Sequence, residues 1–305
     1  MSIKIDAAVC SNMGKVRKNN EDNFYFNGLY MDESQRNSGG LFNLTSNDPI
    51  QMYAVCDGMG GEEGGEDASI TAVRSLMQYN RTSHRVNGSQ QLKEMLQRTS
   101  DTIEDNANKK GFRSGTTIAM VVVCDDTIRI VHVGDSRVYC LDNGKLNRMT
   151  VDHSEVQRMF AMGLIKEEEM DTHPKRHVIS QFLGMPRSDA LVAPTISDRL
   201  KLKSGDRYLL CSDGLTDMVK DPEIHDILSK AGNAEEAVKN LTIAALHHGG
   251  KDNVTSICLF VGSDRSGGRS VSMDSLKKKR GLAIGGMLLS GIMVAVSLLM
   301  FFRVF

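Results

Sequence analysis

The sequence predicts an α+β domain in which antiparallel sheets carry helices on their outer faces. Eight short segments, rich in β-branched and aromatic residues and bounded by turns, read as strands: 3–10, 22–29, 51–56, 115–124, 127–133, 137–142, 207–212 and 254–261. Helical stretches near 62–79, 89–110, 154–162, 222–231 and 234–248 do not alternate with them one for one. A pair of helices follows one run of strands and another pair precedes the last strand, which argues against a βαβ parallel sheet. No internal repeat is present, so a solenoid is not expected.

Taken in order, "IKIDAAVC" and "DNFYFNGL" open the chain as two strands. "MDESQRNSGGLFNLTSNDP" (31–49) between them and the next strand reads as a long surface loop. "QMYAVC" is a third strand, followed by the first helix pair. "GTTIAMVVVC", "TIRIVHV" and "RVYCLD" then follow with tight turns between them. After a long segment come "RYLLCS", the second helix pair and the closing strand "VTSICLFV". Residues 1–261 are therefore expected to form one domain. "GSDRSGGRSVSMDS" has no apolar period and begins a flexible basic tether, 262–280.

Residues 281–305 differ in kind. The run "LAIGGMLLSGIMVAVSLLMFF" (282–302) carries no charge and would reach about 31 Å as a helix, roughly one hydrocarbon core. A C-terminal transmembrane helix with a short tail is expected, and "KKKR" (277–280) before it places the front domain on the cytoplasmic side. The expected protein is single-pass and tail-anchored. Such tethering favours membrane-attached substrates, so the expected partners include a membrane Ser/Thr kinase or its targets, and membrane lipid around the helix.

At 305 residues, 40% hydrophobic and 25% charged, the chain can bury a large core. The net charge of −1 hides an asymmetry: residues 262–305 hold seven Lys/Arg against two Asp/Glu, leaving 30 against 36 in residues 1–261. A mildly acidic front domain argues against a nucleic-acid binder. Cys10, Cys56, Cys124, Cys140, Cys211 and Cys258 are scattered in or beside apolar runs and form no C-x-x-C pair, so they read as reduced core residues. The N-terminus lacks the apolar stretch of a secretory signal.

The chemistry lies in a recurrence of acidic residues at strand ends. "AVCDG" places Asp57 after a strand, "VHVGDS" places Asp135 in a turn, "LLCSDG" places Asp213 after a strand, and "GGKDN" places Asp252 before one. "RKNNEDN" adds Glu21 and Asp22. Gathered in one pocket, these carboxylates would repel one another and cost several kcal/mol without a counter-ion. Hard oxygen donors with no His or Cys among them suit Mg²⁺ or Mn²⁺. Gly58 fits the same picture, because a glycine lets a main-chain carbonyl approach a metal.

In order, "GKVRKNNEDN", "CDGMGG", "SGTT", "VGDSR", "DHS", "HPKR", "SDGL" and "KDNVT" resemble the motif series of the metal-dependent protein phosphatases (PPM, type 2C) across roughly residues 8–261, the bacterial-type members above all. The resemblance implies a four-layer α-β-β-α sandwich, two antiparallel sheets flanked by helices, with a binuclear Mn²⁺ or Mg²⁺ site between the sheets. Asp57 would bridge both ions, with Glu21 and the carbonyl of Gly58 on one, and Asp213 and Asp252 on the other. Asp135 with Asp213 would match a third, weaker ion, and Asp22 would orient ligands or waters from behind them. Arg17, four residues before Glu21, matches the phosphate-binding arginine, and a planar guanidinium suits that task. Arg17, Asp57 and Asp213 are thus the expected catalytic residues.

The implied reaction is hydrolysis of phosphoserine and phosphothreonine in proteins by a metal-activated hydroxide. A phosphomonoesterase for small molecules and an inactive phosphoprotein-binding scaffold are the alternatives. Residues 151–186 resemble the flap bordering the active site, with His153 and His173 read as structural. Two departures stand out. Met59 occupies the position where eukaryotic relatives carry a histidine proposed as general acid, and His177 stands where relatives usually show asparagine.

Overall fold

Strand β1 (Ile3–Asn12) shows why the molecule has layers. Ile5, Ala7 and Val9 pack into one apolar core, while Ala8 and Cys10 on the opposite face pack into another. A strand with alternate side chains buried on both faces must lie between two layers. The computed structural model describes residues 3–60, 64–82 and 88–263.

The strands that follow are β2 (Asn23–Phe26), β3 (Gly40–Ser46), β4 (Ile50–Cys56), the two-residue β5 (Gly58–Met59) and β6 (Gly115–Thr116), β7 (Ile118–Cys124) and β8 (Thr127–Val133). Then come β9 (Arg137–Asp142), β10 (Lys145–Arg148), β11 (Thr195–Ile196), β12 (Leu200–Lys201), β13 (Arg207–Cys211) and β14 (Val254–Ser263). One antiparallel sheet has the order β10-β9-β13-β14-β1-β3. The other runs β11-β8-β7-β4-β2, with β12 also on β8, and β5 pairs only with β6.

Facing side chains close the sandwich. Tyr53 and Val55 of β4 and Val121 and Val123 of β7 meet Ile5, Val9, Leu210 and Ile257 of the opposite sheet in the central core. The outward residues Met52, Ala54, Met120 and Val122 pack under α1 (Gly64–Thr82) and α2 (Ser89–Lys110). In the segment that follows β10 lie α3 (Glu155–Ala161) and α4 (Glu167–Met170). Over the first sheet lie α5 (Asp213–Thr216), α6 (Asp221–Lys230) and α7 (Ala234–His247), which bury Leu215, Ile224, Leu228 and Leu241 against Leu209 and Cys258. The layers are helix, sheet, sheet, helix, as the resemblance implied. All six cysteines are free, as their scatter in apolar runs indicated.

Two expectations are corrected, and one strand not read from the sequence appears. The segment 31–49 is not all loop: Gly40–Ser46 forms β3, an edge strand paired with β1 from Ile5↔Ser46 to Ser11↔Gly40. Only Leu44 in it is fully buried, so its apolar signal is weak. Lys145–Arg148 completes a hairpin with β9, hidden by its charge. Finally, the tail-anchored membrane placement is overturned, because no helix among the described residues is long and apolar enough to cross a membrane. Helix α2 has 22 residues, enough in length, but alternates Lys, Glu, Arg and Asp along its exposed face. The tether and the apolar run 282–302, with the lipid contact and membrane kinase inferred from that run, lie outside the described residues.

Candidate metal centre

The sandwich brings strand ends from both sheets together. Asp57 follows β4 of one sheet, Asp213 follows β13 of the other, Asp252 precedes β14, and Asp135 lies in the turn from β8 to β9. The Asp57 and Asp213 carboxyls are within hydrogen-bonding reach of each other. A cavity of about 360 Å³ beside them is lined by Asp135, Asp213 and Asp252 together with Arg137, Asp152 and His177.

Electrostatics register the crowding. Burial pushes the Asp57 carboxyl well above the usual carboxylate range, and the charges of Asp22, Asp213, Asp135 and Asp252 push it further. Asp135 is likewise raised by burial, then by Asp213 and Asp152. Asp213 is pushed up to about 6 by burial, with Asp217 and Asp252 adding to the rise. Asp22 is pushed up to about 7, mainly by burial, although hydrogen bonds from Ser212 and Thr255 oppose it. Burial also raises Glu21, against the lowering effect of Arg17.

Uncharged side chains hold these acids in place. The Asn253 side chain donates to the carbonyls of Met13 and Asn19, both at 2.9 Å, and accepts the Glu21 amide at 2.8 Å. One buried amide thus ties the segment bearing Arg17 and Glu21 to the residue after Asp252. Ser212 Oγ donates to Asp22 Oδ2 at 2.7 Å and accepts the Thr255 amide at 3.0 Å. Thr117 Oγ1 accepts the Asp57 amide at 3.1 Å, while Thr116 Oγ1 donates to the Asp57 carbonyl at 2.9 Å.

Two glycines sit where backbones cross. A Cβ on Gly58 would lie 2.2 Å from the Gly65 carbonyl oxygen and 2.6 Å from that of Glu21. On Gly214 it would lie 2.0 Å from the Asn253 carbonyl oxygen. Both positions exclude any side chain. The Gly58 position therefore has a packing reason in addition to the one read from the sequence.

Arg17 lies on the rim, half exposed, with Nη2 donating to Asp252 Oδ2 at 2.7 Å. Met59 is half-buried and paired with Gly115 in the β5–β6 ladder. His153 accepts the Gly134 amide at Nδ1 and meets Thr195 Oγ1 at 2.9 Å. Burial, helped by His132, lowers it to about 4, a neutral ring in a structural role. His173 Nδ1 accepts the Lys175 amide at 3.1 Å. Burial raises the Cys56 thiol and pushes Cys211 up to about 12, which removes both as nucleophiles at neutral pH.

Several participants were not singled out from the sequence. Asn253, Ser212, Thr116 and Thr117 look like ordinary turn and strand residues until their partners, up to 240 positions away, are known. Glu66, buried at the start of α1, adds its charge to Glu21. Asp217 stands one helical turn beyond Asp213, a spacing that was available in "SDGLTD".

The donor set fits divalent cations. It consists of oxygens, and two of its buried atoms, Asp22 Oδ1 and Asp135 Oδ1, have no hydrogen-bond partner. Unpartnered anionic oxygens in a buried carboxylate cluster are what hard cations neutralise. The fold and this cluster define a metal-dependent hydrolase.

Comparison with known proteins specifies the class. The family model Protein phosphatase 2C matches residues 40–245, and the chain belongs to that family. It is 31% identical to Serine/threonine phosphatase stp of Listeria monocytogenes over 79% of this chain and 90% of the relative. The crystal structure of the Mycobacterium tuberculosis serine/threonine phosphatase PstP/Ppp superposes with a TM-score of 0.71 at 30% identity, covering 85% of this chain and all of that one. The catalytic domain of PstP in complex with two manganese ions superposes with a TM-score of 0.70 at 29% identity, covering 86% of this chain and all of that one.

Proposed function

We propose that the chain removes phosphoryl groups from phosphoserine and phosphothreonine in proteins, with two Mn²⁺ or Mg²⁺ ions as cofactors. The observation that carries this reading is the convergence of Asp57, Asp213, Asp135 and Asp252 on one buried cluster, in a chain of the protein phosphatase 2C family. Asp57, Glu21 and the Gly58 carbonyl would hold one ion, and Asp57, Asp213 and Asp252 the other. Asp135 with Asp213 would hold a weaker third. Bound there, the cations supply Lewis-acid activation of a water nucleophile and positive charge for the phosphoryl oxygens.

The chain's own residues do the rest. Asp252 fixes Arg17 at the rim with its remaining N–H donors free for two oxygens of an incoming phosphate. Such positioning, together with charge complementary to the phosphoryl group, is the main protein contribution in phosphoryl transfer. Asp22, through Ser212, sets the backbone entering Asp213, and Asn253 sets the backbone entering Glu21. Arg137 grips Asp152 through Nη2 at 2.8 Å and Arg148 pairs with the same carboxylate, which stiffens the cavity wall beside Asp135.

The test compares hydrolysis of a phosphothreonine peptide and of a nucleotide by the full chain, with Mn²⁺ titrated and then chelated. Peptide turnover that rises with Mn²⁺, stops with chelator and is lost in Asp213→Asn is expected. Turnover that survives chelation removes the metal-dependent reading, and faster nucleotide turnover makes the chain a small-molecule phosphomonoesterase.

A further inference from the structure

Two cations in the wall of the cavity beside the acidic cluster have no partner. Arg137 Nη2 meets Asp152 at 2.8 Å and Lys220 Nζ meets Asp171 at 2.9 Å, so those two are engaged within the wall itself. Arg176 and Lys251 line the same cavity, are exposed, and make no ion pair or side-chain hydrogen bond among the described residues. Of the acids lining it, Asp135, Asp213 and Asp252 belong to the metal cluster, and Asp217 faces His177 Nε2 at 3.9 Å. Nothing in the cavity answers the charge of Arg176 and Lys251.

Local structure holds both in place. The Lys15 amide donates to the Gly250 carbonyl at 2.7 Å and the Asn253 amide to Asp252 Oδ1 at 2.8 Å, which fixes the backbone on either side of Lys251. Its stem lies beside Met218, because a Cβ on Gly249 would be 3.7 Å from both Lys251 Cγ and Met218 Sδ. Arg176 comes from a different segment. Its amide donates to the His173 carbonyl at 3.0 Å and the Val178 amide to the Lys175 carbonyl at 3.0 Å, two turns in succession. The Glu155 amide, donating to the Val178 carbonyl at 2.8 Å, ties those turns to the start of α3.

We propose that Arg176 and Lys251 form a specificity subsite for a second anionic side chain of the substrate, a carboxylate or a phosphoryl group near the phosphoresidue being hydrolysed. The inference rests on the phosphatase reading above and names its substrate class: proteins with acidic residues or clustered phosphorylation around the target residue. A guanidinium grips two oxygens of either anion in a plane, and an ammonium adds a point charge. The cavity, about 360 Å³, is about 7 Å on an edge, and same-side residues of an extended peptide, two positions apart, are spaced by about the same length. Arg17 serves the group being removed, and the two free cations serve its neighbour.

The experiment gives the full chain with Mn²⁺ a set of phosphothreonine peptides that differ only two positions before or after the phosphothreonine, where they carry Ala, Glu or phosphoserine. Loss of the phosphothreonine is followed. In at least one placement, kcat/KM for the Glu or phosphoserine peptide should exceed that for the Ala peptide by about tenfold or more, and the ratio should shrink as salt is added. In the double variant Arg176→Gln, Lys251→Gln the ratio should fall to about 1, while Lys93→Gln, on α2, should keep it. A gain with phosphoserine alone assigns the subsite to a phosphoryl group, and equal gains assign it to either anion. A ratio of about 1 in the wild type, a ratio that persists in the double variant, or an equal loss in Lys93→Gln overturns the proposal, and turnover of the Ala peptide then leaves the phosphatase reading standing. Failure to hydrolyse any of the peptides removes both readings.

Discussion

Arg17 Nη2 and Asp252 Oδ2 meet at 2.7 Å although 235 positions separate them. The contact exists because β1 and β14 pair along ten residues, from Ile3↔Ser263 to Asn12↔Val254, which places the loop after β1 beside the loop before β14. A cation at the rim and an anion of the cluster are thereby held in fixed relation.

Arg17→Ala is expected to raise KM for a phosphopeptide and to lower kcat/KM by about 10- to 150-fold, the value of a charged hydrogen bond of about 1.5–3 kcal/mol. Arg17→Lys keeps the charge but loses the planar fork, so it should fall between the two. Both side chains of the pair are partly exposed, so melting temperatures should barely move. Steady-state kinetics with thermal melts check this, and unchanged kcat/KM in Arg17→Ala would remove Arg17 from phosphate binding.

Metal-free protein should lose stability as pH rises. Burial and mutual repulsion lift Asp57, Asp135, Asp213 and Asp22 above the ordinary carboxylate value of about 3.9, so the folded chain binds more protons than the unfolded one. The stabilisation from these groups is complete below that value and is lost as pH climbs through about 6 for Asp213 and about 7 for Asp22. Melting in chelator should therefore drop by several degrees between about pH 5 and pH 7.5. Added Mn²⁺ should raise the melting temperature more at the higher pH, since cations favour the ionised forms. A Mn²⁺ effect independent of pH contradicts the crowding.

Asp57→Asn separates catalysis from stability. Removing the most crowded charge should abolish turnover while raising the melting temperature of the metal-free protein above wild type at about pH 7.5. Parallel loss of both would mean that the carboxylate is a structural anchor.

Asn253→Ala should cost about 2–4 kcal/mol in denaturant unfolding, because two carbonyls and the Glu21 amide lose their partner in a residue that is 4% exposed. Mn²⁺ affinity should weaken with it, as the Arg17 and Glu21 segment loosens. Unchanged Mn²⁺ affinity would show that this segment is positioned without the amide.

Gly214→Ala should be among the most damaging single-methyl changes in the chain, costing about 3 kcal/mol or more, because its Cβ would meet a carbonyl oxygen at 2.0 Å. Gly232→Ala, whose Cβ would meet only the end of the Glu236 side chain, at 3.3 Å, serves as the control. Comparable melting temperatures for the two would contradict the close crossing.

Legibility followed signal strength. Strands β4 and β7, apolar on both faces, were readable because each residue's burial is written in its own side chain. Strand β3, half exposed, and β10, charged, were not, since an edge strand needs only one partner and little apolar surface. The acidic cluster was readable because aspartates repeat at strand ends. The His177 and Asp217 approach was not, because it depends on where the loop after β10 folds back.

The amino-acid sequence by itself determined the layered antiparallel architecture and the recurrence of carboxylates at strand ends, since apolar period and side-chain chemistry are properties of local residues. Only the tertiary structure decided that Asn253 clamps Glu21, that Ser212 holds Asp22, and that His177 faces Asp217. Those contacts are made by strand pairing and loop return over long stretches of chain, and no local pattern encodes the distance between two residues that meet only after the sheets have closed.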